Sequence, residues 1–504
     1  MKIKVIVTLL CLAVIGIGLP VILFDKKYRL EIDGRWNNES RQFQYLTVLF
    51  SITTILACTL PMGFAPIWNG EIPEWRNQYE ELAESMVEGH IYLNDPVDPK
   101  LLEMENPYDF EARNAQGVSA AWDHAYYQGH YYMYFGIVPV LALFLPYRLI
   151  TGTALTTYHA TQIFSAVLIA GIFLLFLLLI RTYIKKLPFC LYILLSVLSS
   201  ILSVSIAVSA PALYCTAIIS AVCFAVWSLY FFVKAAYEAK TRGQEMRYLL
   251  LGGLLGALEF GCRPPIGLSN LATIPLVIQC LKSQKETKPW AKLFITAIPY
   301  ILVAVGLMYY NRVRFNSAFE FGQSYQLTVT DQTALGAQFS FISSLKTVLY
   351  SFYYYFLKAD IGSILNINEI GLLFSCPVLW VLIAAPFRSF YKKLGEGSSF
   401  YYALLLSMIV IILIDNMWSP YPVVRYRLDI CWILGILTFL AVGYGYRYSE
   451  NKTKCITVTG ILALISVYFT ILLISFPHEQ NFTSWYMADI KKVLFWPIHL
   501  ITQK

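Results

Sequence analysis

The sequence predicts an all-α protein that crosses a membrane many times, with about twelve transmembrane helices and one large extracytoplasmic loop. Of its 504 residues, 58% are hydrophobic and only 14% are charged, whereas a soluble domain carries about a quarter charged residues. The apolar residues form blocks of fifteen to twenty-three residues. In lipid, only helices or closed barrels satisfy every backbone polar group, and blocks of this length favour helices.

The charges are distributed unevenly along the chain. Residues 71–136 hold thirteen carboxylates against three cations, whereas the remainder carries a net charge of +17. Basic residues in short loops mark the cytosolic side of a membrane protein, so the acidic stretch is expected on the opposite face. No soluble segment gathers enough cations to indicate nucleic-acid binding.

The ten cysteines indicate no disulfide scaffold. None lies in the acidic stretch, nine lie inside apolar blocks, and Cys455 lies at the edge of one. No CxxC or Cys/His metal-binding spacing occurs, so free, buried thiols are expected.

In chain order, the first apolar block (3–24) predicts a retained helix, because it lacks a small-residue cleavage site. The basic segment 25–42 is then cytosolic, and 43–62 carries the chain outward. Four parts are expected: an extra N-terminal helix with a basic loop (1–42), a first core span with the long loop (43–157), a multi-span core (158–475) and an interfacial C-terminal tail (476–504).

Three local structures are predicted within and after the loop. Residues 79–89 form a surface helix, because Leu82, Met86 and Val87 make a short apolar stripe. Residues 106–109 (Asn-Pro-Tyr-Asp) are a turn signal. Residues 135–150 are apolar but short and hold two prolines, so they are expected at the outer interface rather than across the bilayer.

The remaining apolar blocks complete the set of spans. The blocks 248–262 and 266–281 are short, since fifteen helical residues cover only about 22 Å, and Arg263-Pro264-Pro265 separates them; such a broken pair predicts a recessed cavity. The aromatic segment 340–357 is expected at the outer interface. The other predicted spans are 158–180, 187–208, 211–233, 293–310, 370–386, 399–415, 430–446 and 455–475.

This topology places four polar clusters on the outer side: the long loop, Arg263, the segment 312–320 and the segment 425–429. A carboxylate can take a proton from an incoming hydroxyl group. An arginine can hold a phosphate through two parallel hydrogen bonds. Carboxylates beside arginines at the depth of a lipid phosphate therefore predict chemistry on a lipid-linked phosphate.

Three stretches resemble the glycosyltransferase C superfamily, whose members are polytopic membrane enzymes that use polyprenyl-phosphate sugars. NQYEELAESMVEGHIYL (77–93) looks like the helix that follows their first core span. YYQGHYYMYFGIVPVLALFLPYRLITG (126–152) is similar to a segment that ends the first loop in many bacterial members. YNRVRFNSAFEFG (310–322) resembles a recurrent outer-loop motif. The resemblance is spread over most of 43–430 and implies a bacterial plasma membrane with an extracytoplasmic active face.

The sequence also departs from the superfamily pattern. Members usually place an Asp, or Asp-Glu, a few residues before the tyrosine that corresponds to Tyr79; here Glu71 or Glu74 could substitute. A second acidic position is common in an outer turn that here reads Pro-Ala-Leu-Tyr (211–214), with no carboxylate. Because a divalent metal wants several oxygen ligands, a metal cofactor is possible but not supported. His124 and His130 show no third ligand.

We therefore expect catalysis by a loop carboxylate and substrate binding by the outer polar clusters, with no residue assigned to a metal. The catalytic candidates are Glu71, Glu74 and Asp123. The substrate-binding candidates are His124, Tyr127, Arg263, Arg312, Arg314, Glu320, Arg425 and Arg427.

Each assignment has a structural alternative. In the alternative for Glu71 and Glu74, both are solvated loop charges. In the alternative for Asp123 and His124, the pair forms hydrogen bonds that only stabilise the fold. Arg263 caps a helix tip or pairs with Glu259, four residues earlier. The other arginines, with Glu320, anchor their loops at the lipid headgroups.

The function expected from these observations is a membrane glycosyltransferase. It would move a hexose or pentose from a polyprenyl-phosphate donor to a glycan, lipid or protein acceptor outside the cytosol. The alternatives are a flippase or transporter for lipid-linked sugars and a catalytically silent relative that binds a lipid-linked glycan. A transporter usually shows repeated halves, and none is visible here.

Overall fold

The structure is a computed structural model that describes residues 2–35, 41–63, 77–282, 288–329, 331, 341–359, 370–384, 395–418 and 422–475. The described chain is mostly helical. Its first helices are α1 (Lys2–Phe24), α2 (Arg41–Thr59), α3 (Gln78–Glu88), α4 (Pro99–Glu103), α5 (Phe110–Ala115) and α6 (Leu145–Thr151). The later helices are α7 (Thr157–Leu179), α8 (Phe189–Ser209), α9 (Leu213–Val233), α10 (Arg242–Phe260), α11 (Pro264–Gly267), α12 (Ile274–Lys282), α13 (Pro289–Phe315), α14 (Phe341–Phe352), α15 (Leu372–Ser375), α16 (Ser398–Trp418), α17 (Arg427–Arg447) and α18 (Lys452–Ser475).

Within the described residues, ten helical segments are long and apolar enough to cross a membrane. The protein is therefore a multi-pass membrane protein, as the sequence predicts. The ten segments contain α1, α2, α7, α8, α9, α11 with α12, α13, α16, α17 and α18.

The sequence predicts about twelve membrane spans. Two of the predicted spans are not among the ten segments, and each has a physical reason. Helix α10 covers the predicted span 248–262, but its first turns carry Arg242, Glu245 and Arg247, which lower its mean hydropathy. In the segment predicted at 370–386, α15 ends before Pro377, and a 3-10 helix continues through Ala384. Proline cannot donate the backbone hydrogen bond that would continue an α-helix.

Helices α8 and α17 form the centre of the bundle. Both are enclosed by other helices over nearly their whole length, whereas α13 exposes most of its apolar surface. The Phe176 ring of α7 stacks on the Phe439 ring of α17 at 3.9 Å between centroids. Because lipid tails are as apolar as leucine, packing of this kind, rather than burial from water, stabilises helix association in a membrane.

Three of the described basic connections between helices meet at one end of the bundle. There, strand β1 (Glu31–Ile32) pairs with the short strand Leu187–Pro188. Glu31 accepts hydrogen bonds from the Tyr446 hydroxyl at 2.8 Å and from the Lys452 ammonium at 3.2 Å. The basic segments that contain Arg29, Lys186 and Lys452 therefore lie close together in the described structure.

Residues 77–152 fold into a compact lobe at the opposite end, which we call the acidic lobe. Helix α3 lies close to the predicted 79–89, and Gly89 ends it in a left-handed conformation (φ 95°). Tyr79 and Leu82 are fully buried, and the Tyr79 ring stacks on Phe144 at 5.4 Å between centroids. The described part of the predicted long loop is thus a folded body built around an apolar core.

A β-hairpin of the acidic lobe contacts the C-terminal end of α13. Strand β2 (His124–Tyr127) pairs antiparallel with β3 (His130–Met133), with His124 opposite Met133. The two connecting residues, Gln128 and Gly129, both have positive φ angles (48° and 81°). This is the backbone of the two-residue turns that match the twist of a hairpin.

Candidate active site

The acidic lobe is fixed to the helix ends by close backbone contacts. The Val138 amide donates to the Gly261 carbonyl at 2.9 Å. A Cβ atom added to Gly136 would clash with the backbone of Gly261 and Cys262. Glycine at 136 therefore lets the lobe approach the broken turn between α10 and α11 more closely than any side chain would permit.

A cavity of about 420 Å³ lies between the acidic lobe and the ends of the helices. This volume is in the range of small-molecule sites. Its charged lining residues are Asp123, Asp415, Arg263, Arg314 and Arg425. Its aromatic lining residues are Trp122, Tyr134, Phe135, Tyr214, Phe260, Tyr310, Phe321 and Tyr426.

Asp123 is the only carboxylate that the described part of the acidic lobe contributes to this cavity lining. Its side chain is 7% exposed, and its backbone adopts a left-handed conformation (φ 58°). Oδ1 accepts a hydrogen bond from Gln326 Nε2 at 2.8 Å, and Oδ2 accepts one from the Tyr214 hydroxyl. A strained, buried carboxylate held by two donors is oriented for a defined task.

The electrostatics around Asp123 reflect its burial. Burial raises the pKa of the Asp123 carboxyl to about 6, while the positive charge of Arg425 and the hydrogen bond from Gln326 oppose that rise. Arg425 lies over the Tyr214 ring, 4.1 Å from its centroid. The carboxylate, the tyrosine and the guanidinium thus form a connected set along one wall of the cavity.

Arg314 and Arg425 reach the cavity without a carboxylate partner. Among the described residues, neither forms an ion pair with an Asp or Glu side chain. Arg314 is 4% exposed; its Nη1 donates to the Met133 carbonyl and its Nη2 to Asn311 Oδ1, each at 2.8 Å, while Nε has no partner. A buried charge without a counter-ion is costly, so Arg314 favours an anionic ligand.

Arg263 differs because two carboxylates already neutralise it. Its guanidinium lies 2.7 Å from Asp429 Oδ2 and 3.3 Å from Asp415 Oδ1. The suggested pairing with Glu259 is wrong: Glu259 instead accepts hydrogen bonds from Ser269 at 2.7 Å and Asn270 at 3.2 Å. The segment between α10 and α11 turns Arg263 toward α16 and α17, away from its own helix.

The remaining sequence candidates that the structure describes lie outside the cavity lining. His124 is fully buried within the acidic lobe, and Tyr127 packs against Phe315 and Tyr325. Arg312 is exposed and donates to the Asn316 carbonyl at 2.7 Å. Glu71 and Glu74 lie outside the described residues.

Two further candidates make local structural contacts. Glu320 accepts from the backbone amide of Gly322 at 2.6 Å. Arg427 is buried and donates to the carbonyls of Ile370 and Tyr354, each at 3.0 Å. These bonds tie neighbouring segments together rather than present a group to a ligand.

The sequence analysis did not identify three residues of the site, which are Asp415, Tyr214 and Gln326. Asp415 had a usable signal, because it ends the apolar run of the predicted span 399–415 and an ionisable residue within a span is by default a candidate for function. Tyr214 and Gln326 carry no such signal. They matter only because the fold brings them to the Asp123 carboxylate.

One group of residues in the acidic lobe could hold a metal ion. One ligand atom each from Glu81, Asp95 and His124 lies within 4.8 Å of the others. These residues are far apart in the sequence, so no spacing rule reveals them. They do not line the cavity.

Comparison with known proteins gives one structural likeness. No family model matches the chain, and no curated protein matches it. A crystal structure of the Archaeoglobus fulgidus oligosaccharyltransferase in the apo form is similar with a TM-score of 0.45 and 12% sequence identity. The alignment covers 86% of this chain and 56% of the archaeal chain, so the present chain spans about half the length of that protein.

Proposed function

We propose that the protein is a membrane glycosyltransferase that moves a sugar from a polyprenyl-phosphate donor to an extracytoplasmic acceptor. The observation that carries the proposal is the convergence of Asp123, Arg314 and Arg425 on one cavity at the ends of the membrane helices. Convergence of a buried carboxylate with anion-binding groups in a single cleft is the usual mark of an active site. The sequence resemblance to the glycosyltransferase C superfamily agrees with this assignment.

The donor phosphate would bind to Arg314 and Arg425. Both guanidinium groups reach the cavity and lack a carboxylate partner among the described residues, and arginine binds phosphate bidentately. The cavity lies where the membrane helices end, so a phosphate could enter it while the polyprenyl chain remains in the bilayer. Arg263 would hold the cavity wall, since its charge is already balanced by Asp415 and Asp429.

The reaction would be a single displacement at the anomeric carbon. Asp123 takes the proton from an acceptor hydroxyl group, and the acceptor oxygen forms the new bond to the anomeric carbon. The bond from that carbon to the phosphate oxygen breaks, and the polyprenyl phosphate leaves with the electron pair. Arg314 and Arg425 stabilise the negative charge that develops on the phosphate. Attack from the opposite face would invert the anomeric configuration.

The aromatic wall would hold the sugar. Trp122, Tyr134 and Tyr214 line the cavity near the carboxylate. Their rings offer flat apolar faces, and their polar atoms offer hydrogen-bond partners. The acidic lobe and the membrane helices both contribute residues to this wall. The site is therefore complete only when the lobe packs against the helix ends.

The proposal is tested with purified protein in liposomes, labelled polyprenyl-phosphate sugars and a cell-envelope extract as acceptor source. Wild-type protein is expected to transfer label to the extract. Replacing Asp123 by Asn removes the proposed base but preserves the shape of the side chain, and the transfer rate should fall by about 10²- to 10⁴-fold. Glu105→Gln, at an exposed carboxylate of the same lobe, is the matched control and should transfer normally.

Three results would contradict the proposal. Undiminished transfer by the Asp123→Asn variant would remove the proposed base. Movement of labelled donor across the vesicle membrane without a new glycosidic bond would instead identify a transporter. Tight binding of the donor without turnover by the wild-type protein would identify a silent lipid-glycan-binding protein.

A further inference from the structure

We propose that the acidic lobe binds a divalent transition-metal ion, such as Zn²⁺, through Glu81, Asp95 and His124. The three residues come from α3, from the segment before α4 and from β2. One ligand atom of each lies within 4.8 Å of the others. The site is separate from the cavity lining, and the inference does not depend on the proposed transferase activity.

The hydrogen bonding of His124 leaves one ring nitrogen available for a ligand. Nδ1 lies 2.9 Å from the Trp122 carbonyl oxygen. A carbonyl can only accept, so Nδ1 carries a proton, and in the neutral imidazole Nε2 then has a lone pair for a ligand. Metal-binding histidines characteristically donate their other ring N–H to a carbonyl or carboxylate in this way.

The His124 and Asp95 atoms that face the centre of the cluster make no hydrogen bond among the described residues. The His124 side chain is fully buried, and its Nε2 makes no hydrogen bond within the described structure. Asp95 Oδ2 is likewise buried without a hydrogen bond. The two atoms lie 3.2 Å apart, a separation at which either a proton on Nε2 or a metal ion between them offsets the repulsion of their lone pairs.

The spacing suits a small ion. Two ligand atoms bound to one tetrahedral zinc lie about 3.3 Å apart, given bonds of about 2.0 Å. The His124–Asp95 pair already has this separation, and one Glu81 carboxylate oxygen lies within 4.8 Å of a ligand atom of each. One imidazole nitrogen with two carboxylates is a donor set that favours a transition-metal ion over Mg²⁺ or Ca²⁺.

The bound ion would link three separate segments of the acidic lobe and hold the residue next to the cavity. His124 follows Asp123, whose left-handed backbone is strained. The Gln78 amide also donates to the Asp123 carbonyl at 3.1 Å and lies 3.2 Å from His124 Nδ1. Fixing His124 to α3 would therefore fix the direction of the Asp123 side chain, so the ion acts on the site by positioning.

The first test measures the metal content of the full-length wild-type protein, purified in detergent without chelators. About one Zn²⁺ or similar ion per chain is expected. Stripping the protein with EDTA should lower its melting temperature, and adding Zn²⁺ back should restore it, because a ligand that binds only the folded state stabilises that state. A metal-free wild-type protein whose melting temperature does not respond to EDTA or Zn²⁺ would overturn the inference.

The second test compares ligand variants with a matched pair on the same lobe. His124→Gln and Asp95→Asn should each lose the bound ion and the response to Zn²⁺. His90→Gln and Glu88→Gln are the controls, because His90 Nε2 and Glu88 Oε2 also lie 3.2 Å apart but on the surface. Retention of the ion by both His124→Gln and Asp95→Asn, or its loss from the controls alone, would contradict the proposed ligand set.

Discussion

At the residue scale, Arg425 has the contacts expected of a phosphate-binding group. It lies half-buried in the cavity wall, stacks over Tyr214 and has no carboxylate partner among the described residues. Arg312, which the sequence favours equally, is exposed and donates to a nearby carbonyl. The two arginines lie on predicted outer loops of similar composition, so only the folded structure distinguishes their roles.

Replacing Arg425 by Ala should weaken the binding of polyprenyl phosphate by about 10- to 100-fold, because a hydrogen bond to a charged group contributes about 1.5–3 kcal/mol. Binding can be measured by displacement of a fluorescent polyprenyl phosphate from the purified protein. Arg312→Ala is the control and should bind almost normally. Equal weakening in the two variants would argue that the arginines act only through the general surface charge.

Arg263 illustrates how a buried ion cluster responds to the loss of one member. Arg263→Met would leave Asp415 and Asp429, which are 3% and 0% exposed, without their cation. Breaking such a cluster costs about 3–5 kcal/mol, so the melting temperature should fall clearly in a thermal unfolding scan. An Arg263→Met variant as stable as the wild type would show that the cluster does not hold α16 and α17 together.

At the element scale, the position of the acidic lobe on the helix ends depends on Gly136 and on the turn between α10 and α11. The sequence predicts a broken helical pair and a recessed cavity, because Arg-Pro-Pro separates two short apolar blocks. It does not predict that the lobe packs its own backbone against Gly261. Such a contact joins residues that are more than a hundred positions apart, and no local pattern encodes it.

Gly136→Ala should therefore displace the acidic lobe from the helix ends and lower stability by about 1–3 kcal/mol, the usual effect of overpacking a tight contact. Gly306→Ala in α13 is the control, because an added Cβ there meets no atom within 4 Å. The measurement is the melting temperature of each variant together with protease sensitivity of the lobe. If Gly136→Ala matched the control in melting temperature and in protease sensitivity, the backbone contact would not determine how the lobe packs on the helix ends.

At the scale of the whole molecule, the apolar blocks of the sequence predict most of the membrane-spanning helices. Apolar block length predicts nearly all of the spans, because the bilayer thickness fixes the length of a helix that crosses it. The pairing of charges across the bundle was not predictable: Arg263 meets Asp415 and Asp429 from α16 and α17, and sequence spacing suggested Glu259 instead. Long-range contacts of this kind are set by packing rather than by local pattern.

The orientation of the molecule gives a test of its own. The positive-inside rule places the acidic lobe outside the cytosol. With Glu105→Cys in the exposed part of the lobe and Lys26→Cys in the basic segment after α1, a membrane-impermeant thiol reagent applied to intact cells should label the first variant only. Labelling of Lys26→Cys before permeabilisation, with Glu105→Cys protected, would place the lobe in the cytosol and remove the extracytoplasmic reaction.

The most direct test of the central claim is a structure of the protein with a bound polyprenyl-phosphate sugar. The account predicts a phosphate within hydrogen-bonding distance of Arg314 and Arg425, with the anomeric carbon turned toward the Asp123 carboxylate. A phosphate bound elsewhere on the molecule, or a sugar whose anomeric carbon lies beyond the reach of a hydroxyl group held by Asp123, would contradict it.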